Sequence, residues 1–140
     1  MPEGHLLHRA ARLQGRRFRG KPVRTSSPQG RFADGAATLN GQTITGIDAL
    51  GKHLFYRFDE GDILHVHLGL FGKFRVRSLP APEPSPNARL VMETETDHLH
   101  LAGPTACELI TPEEEDDLRA RLGPDPILDP TDGADELGRR

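Results

Sequence analysis

The feature that most limits how this chain can fold is a change of period. After an opening stretch with apolar residues at helical spacing, the sequence alternates with a period of two in eight short runs: KPVRTSSP, GQTITGIDAL, KHLFYRF, DILHVHL, KFRVRSL, ARLVMETET, HLHLAG and ACELITP. Such alternation puts apolar side chains on one face of a strand and polar ones on the other. Gly-, Asp- or Pro-containing turns separate the runs, among them DEGD at Asp59–Asp62. PAPEPSP, Pro80–Pro86, cannot donate into a sheet ladder and reads as a loop. Short, half-buried strands of this kind bury their apolar faces against each other. The expected fold is mainly β with flanking helices: an antiparallel β-sandwich or barrel, the sandwich being preferred.

Two helices flank the strands. In EGHLLHRAARLQG, Leu6, Leu7, Ala10, Ala11 and Leu13 recur at near-helical spacing, with Arg9, Arg12, Arg16 and Arg17 on or beside the polar side. Gly15 and Gly20 are expected to end this helix. A second helix is expected near 112–122, with Thr111 as N-cap, Pro112 at its first position, acidic residues Glu113 to Asp117 in its first turns and Gly123 at its end. Residues 1–123 then form one domain. Residues 124–140, ending in the apolar-poor TDGADELGRR, read as a linker toward further chain.

Composition narrows the function classes. A chain of 140 residues suffices for one core. Its single cysteine, Cys107, leaves no internal disulfide and no cysteine-built zinc site. The sequence has neither a membrane-length apolar run nor a signal-peptide pattern, so a soluble cytoplasmic monomer is expected, with no membrane partner. The net charge of −3 conceals an asymmetry: 13 Lys+Arg against 6 Asp+Glu up to Arg77, then 5 against 15. A basic half permits phosphate binding but is equally compatible with a solvated face.

Four groups of residues can carry chemistry. Pro2 and Glu3 make a good helix start. If Met1 is removed, however, Pro2 also becomes a secondary amine at a helix N-terminus, where the dipole lowers its pKa and favours attack on an electrophilic carbon. Met1, if retained, makes that nitrogen an amide and forbids the attack. Lys52 is one of three lysines among fifteen arginines, which suits a site needing a compact charge that can lose its proton, or an ordinary strand-edge cation. Gly69 and Gly72 flank Leu70 and Phe71, an arrangement that can push two apolar side chains outward as a wedge into stacked bases, or seat them in the core. Finally, His65/His67 and His98/His100 are H-x-H pairs that could hold a divalent metal as cupin sandwiches do.

Taken in order, MPEG before a helix, GKHLFYRF, HVHLGLFGKFRV and LGPDPILDP resemble the formamidopyrimidine-DNA glycosylase/endonuclease VIII family over nearly the whole chain, and PEG resembles its endonuclease VIII branch. The resemblance implies a DNA-repair glycosylase and AP lyase that excises oxidised bases, pyrimidines favoured, and cleaves the abasic strand by β/δ-elimination. It implies Pro2 as nucleophile, Glu3 as proton donor and acceptor, and Lys52 as the basic residue beside the lesion. It also implies DNA contacts from His67, Gly69, Leu70 and Phe71, and extends the DNA-binding set to Lys73 and Arg75. The implied partner is damaged DNA, whether duplex, bubble or single-stranded. No cofactor is implied for this stretch, zinc being expected only in the C-terminal part of longer relatives. The family's second glutamate would fall at position 6, where this chain has Leu6 after His5. The helix–two-turn–helix that completes the DNA clamp would lie beyond Arg140. A binding domain without activity, and a cupin-like metal enzyme, stand as alternatives.

Overall fold

The computed structural model describes the backbone of residues 3–122 and the side chains of residues 7–122. Within them, three helices and eight strands follow in the order α1 (Glu3–Phe18), β1 (Arg24–Ser26), α2 (Ala33–Leu39), β2 (Ile44–Leu50), β3 (His53–Phe58), β4 (Ile63–His67), β5 (Lys73–Ser78), β6 (Ala88–Glu93), β7 (Asp97–Ala102), β8 (Ala106–Ile110) and α3 (Pro112–Leu122). Each period-two run of the sequence contains one strand. The strands form two four-stranded sheets, in orders β1-β6-β7-β5 and β2-β3-β4-β8, with every pairing antiparallel. This is the expected sandwich with flanking helices.

The core lies between the sheets. Leu54, Tyr56, Leu64 and Val66 face inward from the second sheet and meet Leu90, Met92, Leu99 and Leu101 from the first. Helix α1 adds Leu7, Ala11 and Phe18 to the same cluster, and α2 adds Ala36 and Leu39. Gly15 does not stop α1, which runs on to Phe18; the turn comes at Gly20, whose φ of 81° is left-handed. Helix α2 was not expected from the sequence. Its apolar residues Phe32, Ala36 and Leu39 do fall at helical spacing, but it is seven residues long, contains Gly35 and has no side-chain cap.

Two polar anchors fix α1. The Tyr56 hydroxyl, fully buried on β3, donates to Gln14 Oε1 at 2.5 Å. Arg17 reaches the other sheet, pairing with Asp97 at 2.9 Å. Direction follows from these contacts. Gly20 N donates to Ile44 O at 2.7 Å, so the C-terminal end of α1 lies at the start of β2, and the helix runs back along β2 toward the Leu50–His53 end.

Helix α3 covers the outer face of the second sheet. Its start is a reciprocal capping box: Thr111 N donates to Glu114 Oε1 at 2.8 Å and Glu114 N donates to Thr111 Oγ1 at 3.0 Å. Leu118 packs on Leu50, Phe55, Ile63 and Ile110 as a second, smaller core. Glu115, almost fully buried, takes a bidentate pair from Arg57 at 2.6 and 2.7 Å and a third bond from Arg119 at 2.6 Å. Burial alone raises the Glu115 pKa, and the two guanidinium groups outweigh it, so the net shift is downward. Among the described residues no helix is long and apolar enough to cross a membrane.

Glu115→Ala should therefore lower stability in urea unfolding at pH 7 by about 2–3 kcal/mol, below the value for a wholly buried pair because solvent reaches both arginines. A carboxyl whose pKa falls on folding adds stability above its unfolded value, near 4.3, and loses it as the pH drops through the folded value. The gap between wild type and variant should thus narrow below pH ~4, and a gap independent of pH would show that the charge contributes nothing.

Candidate nucleic-acid interface and catalytic end

One end of the sandwich gathers most of the candidate residues. The β2–β3 turn, Gly51–Lys52, and the loop between β4 and β5, Leu68–Gly72, lie side by side because Leu68 N donates to the Lys52 carbonyl at 3.1 Å. Thr105 N donates to the His67 carbonyl at 2.8 Å, so the β7–β8 connection closes the same end. Helix α1 is directed toward this end by the contacts of Gln14, Arg17 and Gly20 described above. Pro2 and the Glu3 side chain lie outside the described residues.

The 68–72 loop has the form a wedge needs. Gly72 N donates to Leu68 O at 3.1 Å, closing a tight turn, and the Leu68 side chain packs on the main core. Leu70 and Phe71, by contrast, are 77% and 80% exposed. Gly69 takes a φ of 68°, and a Cβ placed on it would stand 2.0 Å from Thr105 Oγ1. It therefore serves as the backbone pivot that turns the chain outward, and no larger side chain fits without rearrangement. A Cβ at Gly72 would strike the Leu68 carbonyl oxygen at 2.3 Å.

The cations flanking this loop point two ways. Lys52 and the half-buried His67 belong to the second sheet, and Lys52 lies close enough to depress the His67 pKa. Burial is the larger cause of that fall, followed by the charge of His65 and then of Lys52. Lys73 opens β5 directly after the loop, and Arg75 follows opposite His100, on the exposed face of the first sheet. Arg77, which the sequence reading passed over, continues that row opposite His98.

The histidine pairs do not meet. His65 and His67 face away from inward-pointing Leu64 and Val66, and His98 and His100 face away from Leu99 and Leu101. They stand on opposite outer faces of the sandwich, whereas a cupin site needs its ligands on one inner face. Among the described residues no group of three or more His, Cys, Asp or Glu is placed to hold a metal ion. The two histidine pairs therefore do not form the single four-imidazole ligand set that the cupin-like alternative was built on. Burial pushes the Cys107 thiol up to about 12, which removes it as a nucleophile at neutral pH.

Two further residues join the Lys52 end. His53 lies face to face with His67, ring centroids 4.2 Å apart, and Glu108 of β8 bonds His65 at 2.8 Å. Only the adjacency of His53 to Lys52 was visible in the sequence; Glu108 is brought in by strand pairing across 43 residues.

The loop geometry makes a separable prediction. Gly69→Ala should destabilise the chain by about 1–2 kcal/mol, since a left-handed φ is unfavourable for alanine. Leu70→Ala and Phe71→Ala should each change stability by less than ~0.5 kcal/mol, because solvent already surrounds them. Urea midpoints of the three variants check this, and a large loss at Phe71 would mean that the loop is held by that side chain.

Comparison with known proteins agrees with this architecture. Residues 1–107 match the family model described as the formamidopyrimidine-DNA glycosylase N-terminal domain. Endonuclease 8 1 of Mycobacterium tuberculosis is 51% identical over 131 residues, covering 91% of this chain and 49% of that protein. Endonuclease 8 of Escherichia coli is 31% identical over 136 residues, covering 93% and 51%. The structure of Lactococcus lactis formamidopyrimidine-DNA glycosylase in complex with DNA containing FAPY-dG superposes with a TM-score of 0.63 at 25% identity, over 77% of this chain and 44% of that one. The chain thus spans about half the length of the relatives it matches. On the match of its first 107 residues, the chain belongs to the formamidopyrimidine-DNA glycosylase N-terminal domain family.

Proposed function

We propose that this chain is the catalytic β-sandwich half of a DNA-repair glycosylase and AP lyase of the endonuclease VIII type, acting on oxidised bases with pyrimidines favoured. The observation that carries the proposal is the meeting, at one end of the sandwich, of the Lys52 turn, His67 and the exposed Leu70–Phe71 tip, with α1 directed toward them. The identity to named endonucleases 8 supports the same reading.

The chemistry follows from what each group can do. A free Pro2 nitrogen attacks C1′ of the damaged nucleotide, the base departs, and the sugar ring opens as its oxygen takes a proton from Glu3. The resulting iminium acidifies C2′, so loss of a proton there expels the 3′ phosphate in β-elimination. A second elimination releases the 5′ phosphate. Lys52 and His67 hold the neighbouring phosphate, Leu70 and Phe71 fill the space of the extruded nucleotide, and Lys73 with Arg75 engages the flanking backbone. Every step uses side chains and the chain's own amine, so this stretch needs no cofactor. Residues 1–123 are the domain that carries this machinery, and 124–140 lead toward the partner half of the clamp.

Borohydride trapping on an abasic-site oligonucleotide, with intact mass read on the same sample, tests the mechanism. A covalent adduct at Pro2 in chain lacking Met1 is the expected result, at a slow rate because the chain covers half of its relatives' length. Chain with a free Pro2 that binds DNA without forming an adduct would favour the binding-domain reading instead. Phe71→Ala should weaken abasic-duplex affinity about tenfold, the size of one lost base–aromatic stack. Affinity should also fall steeply with salt. A salt-independent affinity would contradict the phosphate contacts.

A further inference from the structure

The outer face of the second sheet carries a line of imidazoles beyond the part that α3 covers. Strand register sets them together: His53 pairs with His67, Phe55 with His65, and His65 with Glu108. His53 Nδ1 lies 2.8 Å from His65 Nε2, with the ring planes 9° apart and centroids 5.1 Å apart. Those values describe an in-plane N–H···N bond joining two rings edge to edge, since stacked faces would put the centroids closer than the bond requires. His65 Nδ1 lies 2.8 Å from Glu108 Oε2. His67 then lies against the face of His53, 4.2 Å between centroids and 12° from parallel.

The chemistry of the donors fixes a direction. An ionised carboxylate only accepts, so His65 Nδ1 carries a hydrogen toward Glu108. With His65 neutral, its Nε2 offers a lone pair and His53 Nδ1 donates to it, which leaves His53 Nε2 without a hydrogen. Both bonds pull electron density toward His53, whose face is the surface presented to His67. A cation forming on His67 when a phosphate arrives is stabilised by that face and by the Glu108 charge behind it. The charged groups around the line are Lys52 from the β2–β3 turn, Glu108 from β8, and Arg119 of α3, whose guanidinium lies over Phe55 and is held by Glu115 and Asp48. Burial, with the charges of His67 and His65, holds the His53 pKa down to about 4, so the ring that faces His67 is neutral between pH 6 and 8.

We propose that Glu108, His65 and His53 form a carboxylate–imidazole–imidazole relay that positions the His67 ring and sets the pH range over which the Lys52–His67 end grips DNA phosphate. The three act as positioning residues behind the contact, and the proposal rests on the DNA-binding reading given above. Glu108 is half-exposed on an edge strand, so Glu108→Gln keeps the fold and the hydrogen bond while removing the charge.

The test is the affinity of the 140-residue chain for an abasic-site duplex between pH 6 and 8 at fixed low salt, together with the ring tautomers of free wild type and His65→Leu by ¹H–¹⁵N NMR. Wild type should bind more tightly as the pH falls, because phosphate favours protonated His67. Glu108→Gln should match wild type at pH 8 and lose about threefold of the gain at pH 6, the size of one charge acting through a partly screened path. His53 should be the Nδ1–H tautomer in wild type and lose that preference in His65→Leu. Identical pH profiles for wild type and Glu108→Gln, or an Nε2–H His53 in wild type, would overturn the relay while leaving DNA binding intact. Failure of wild type to bind DNA at any pH would overturn the phosphate-contact reading, and the relay's role with it.

Discussion

The buried hydrogen bond from Tyr56 to Gln14 is the constraint on which the site depends. A hydroxyl and an amide inside the core are both unfavourable unless they satisfy each other, so helix and strand can meet in few registers. Burial raises the Tyr56 pKa well above 10, which keeps the hydroxyl protonated as a donor at any physiological pH. With the Arg17–Asp97 pair on the next turn, the bond fixes both the position of α1 along β3 and its rotation. An N-terminal amine used as a nucleophile has no side-chain rotamer to place it. Its position is set by the helix that follows, and hence by what anchors that helix.

The same division of labour holds at the 68–72 loop. Its shape is determined by main-chain bonds from Leu68 N to the Lys52 carbonyl and from Gly72 N to the Leu68 carbonyl, and by glycines that leave no room for a Cβ. The side chains of Leu70 and Phe71 take no part in holding it. Two large apolar groups can therefore stay in water without the fold relying on them, at an unfavourable solvation of roughly 1.5–3 kcal/mol each relative to burial. A residue that must leave solvent only when a base stack opens needs such independence, because any contact stabilising it in the free chain would compete with insertion.

Much of this was legible in the sequence where the signal is local. The alternation of eight runs became eight strands, and Thr111, expected as the N-cap of α3, accepts from Glu114 N there. Helix α2 escaped because about two turns with an internal glycine carry too few apolar positions to register a period. Gly15 misled in the other direction: tertiary packing of Phe18 outweighs the modest penalty of one helical glycine. Each H-x-H pair shares one face of its strand, since that is fixed by the pleat. Which sheet each joins is fixed by pairings between distant segments, and this defeated the metal reading. Likewise Glu108 has no local mark; only the pairing of β4 with β8 brings it to His65.

Two polar networks share the outer face of the second sheet, and their endings differ. Glu115 spends both carboxylate oxygens on Arg57 and Arg119, and Arg119 turns back to Asp48, so that network closes on itself and secures α3. The Glu108–His65–His53 line does not turn back. Acceptor and donor alternate along it in one direction, and its last ring lies against His67 at the end where Lys52 and the exposed loop meet. A structural role would be served by satisfying each buried ring where it stands. A line that carries polarisation across three strands to one edge of the sheet makes the charge of a half-exposed glutamate felt at the surface where phosphate would arrive.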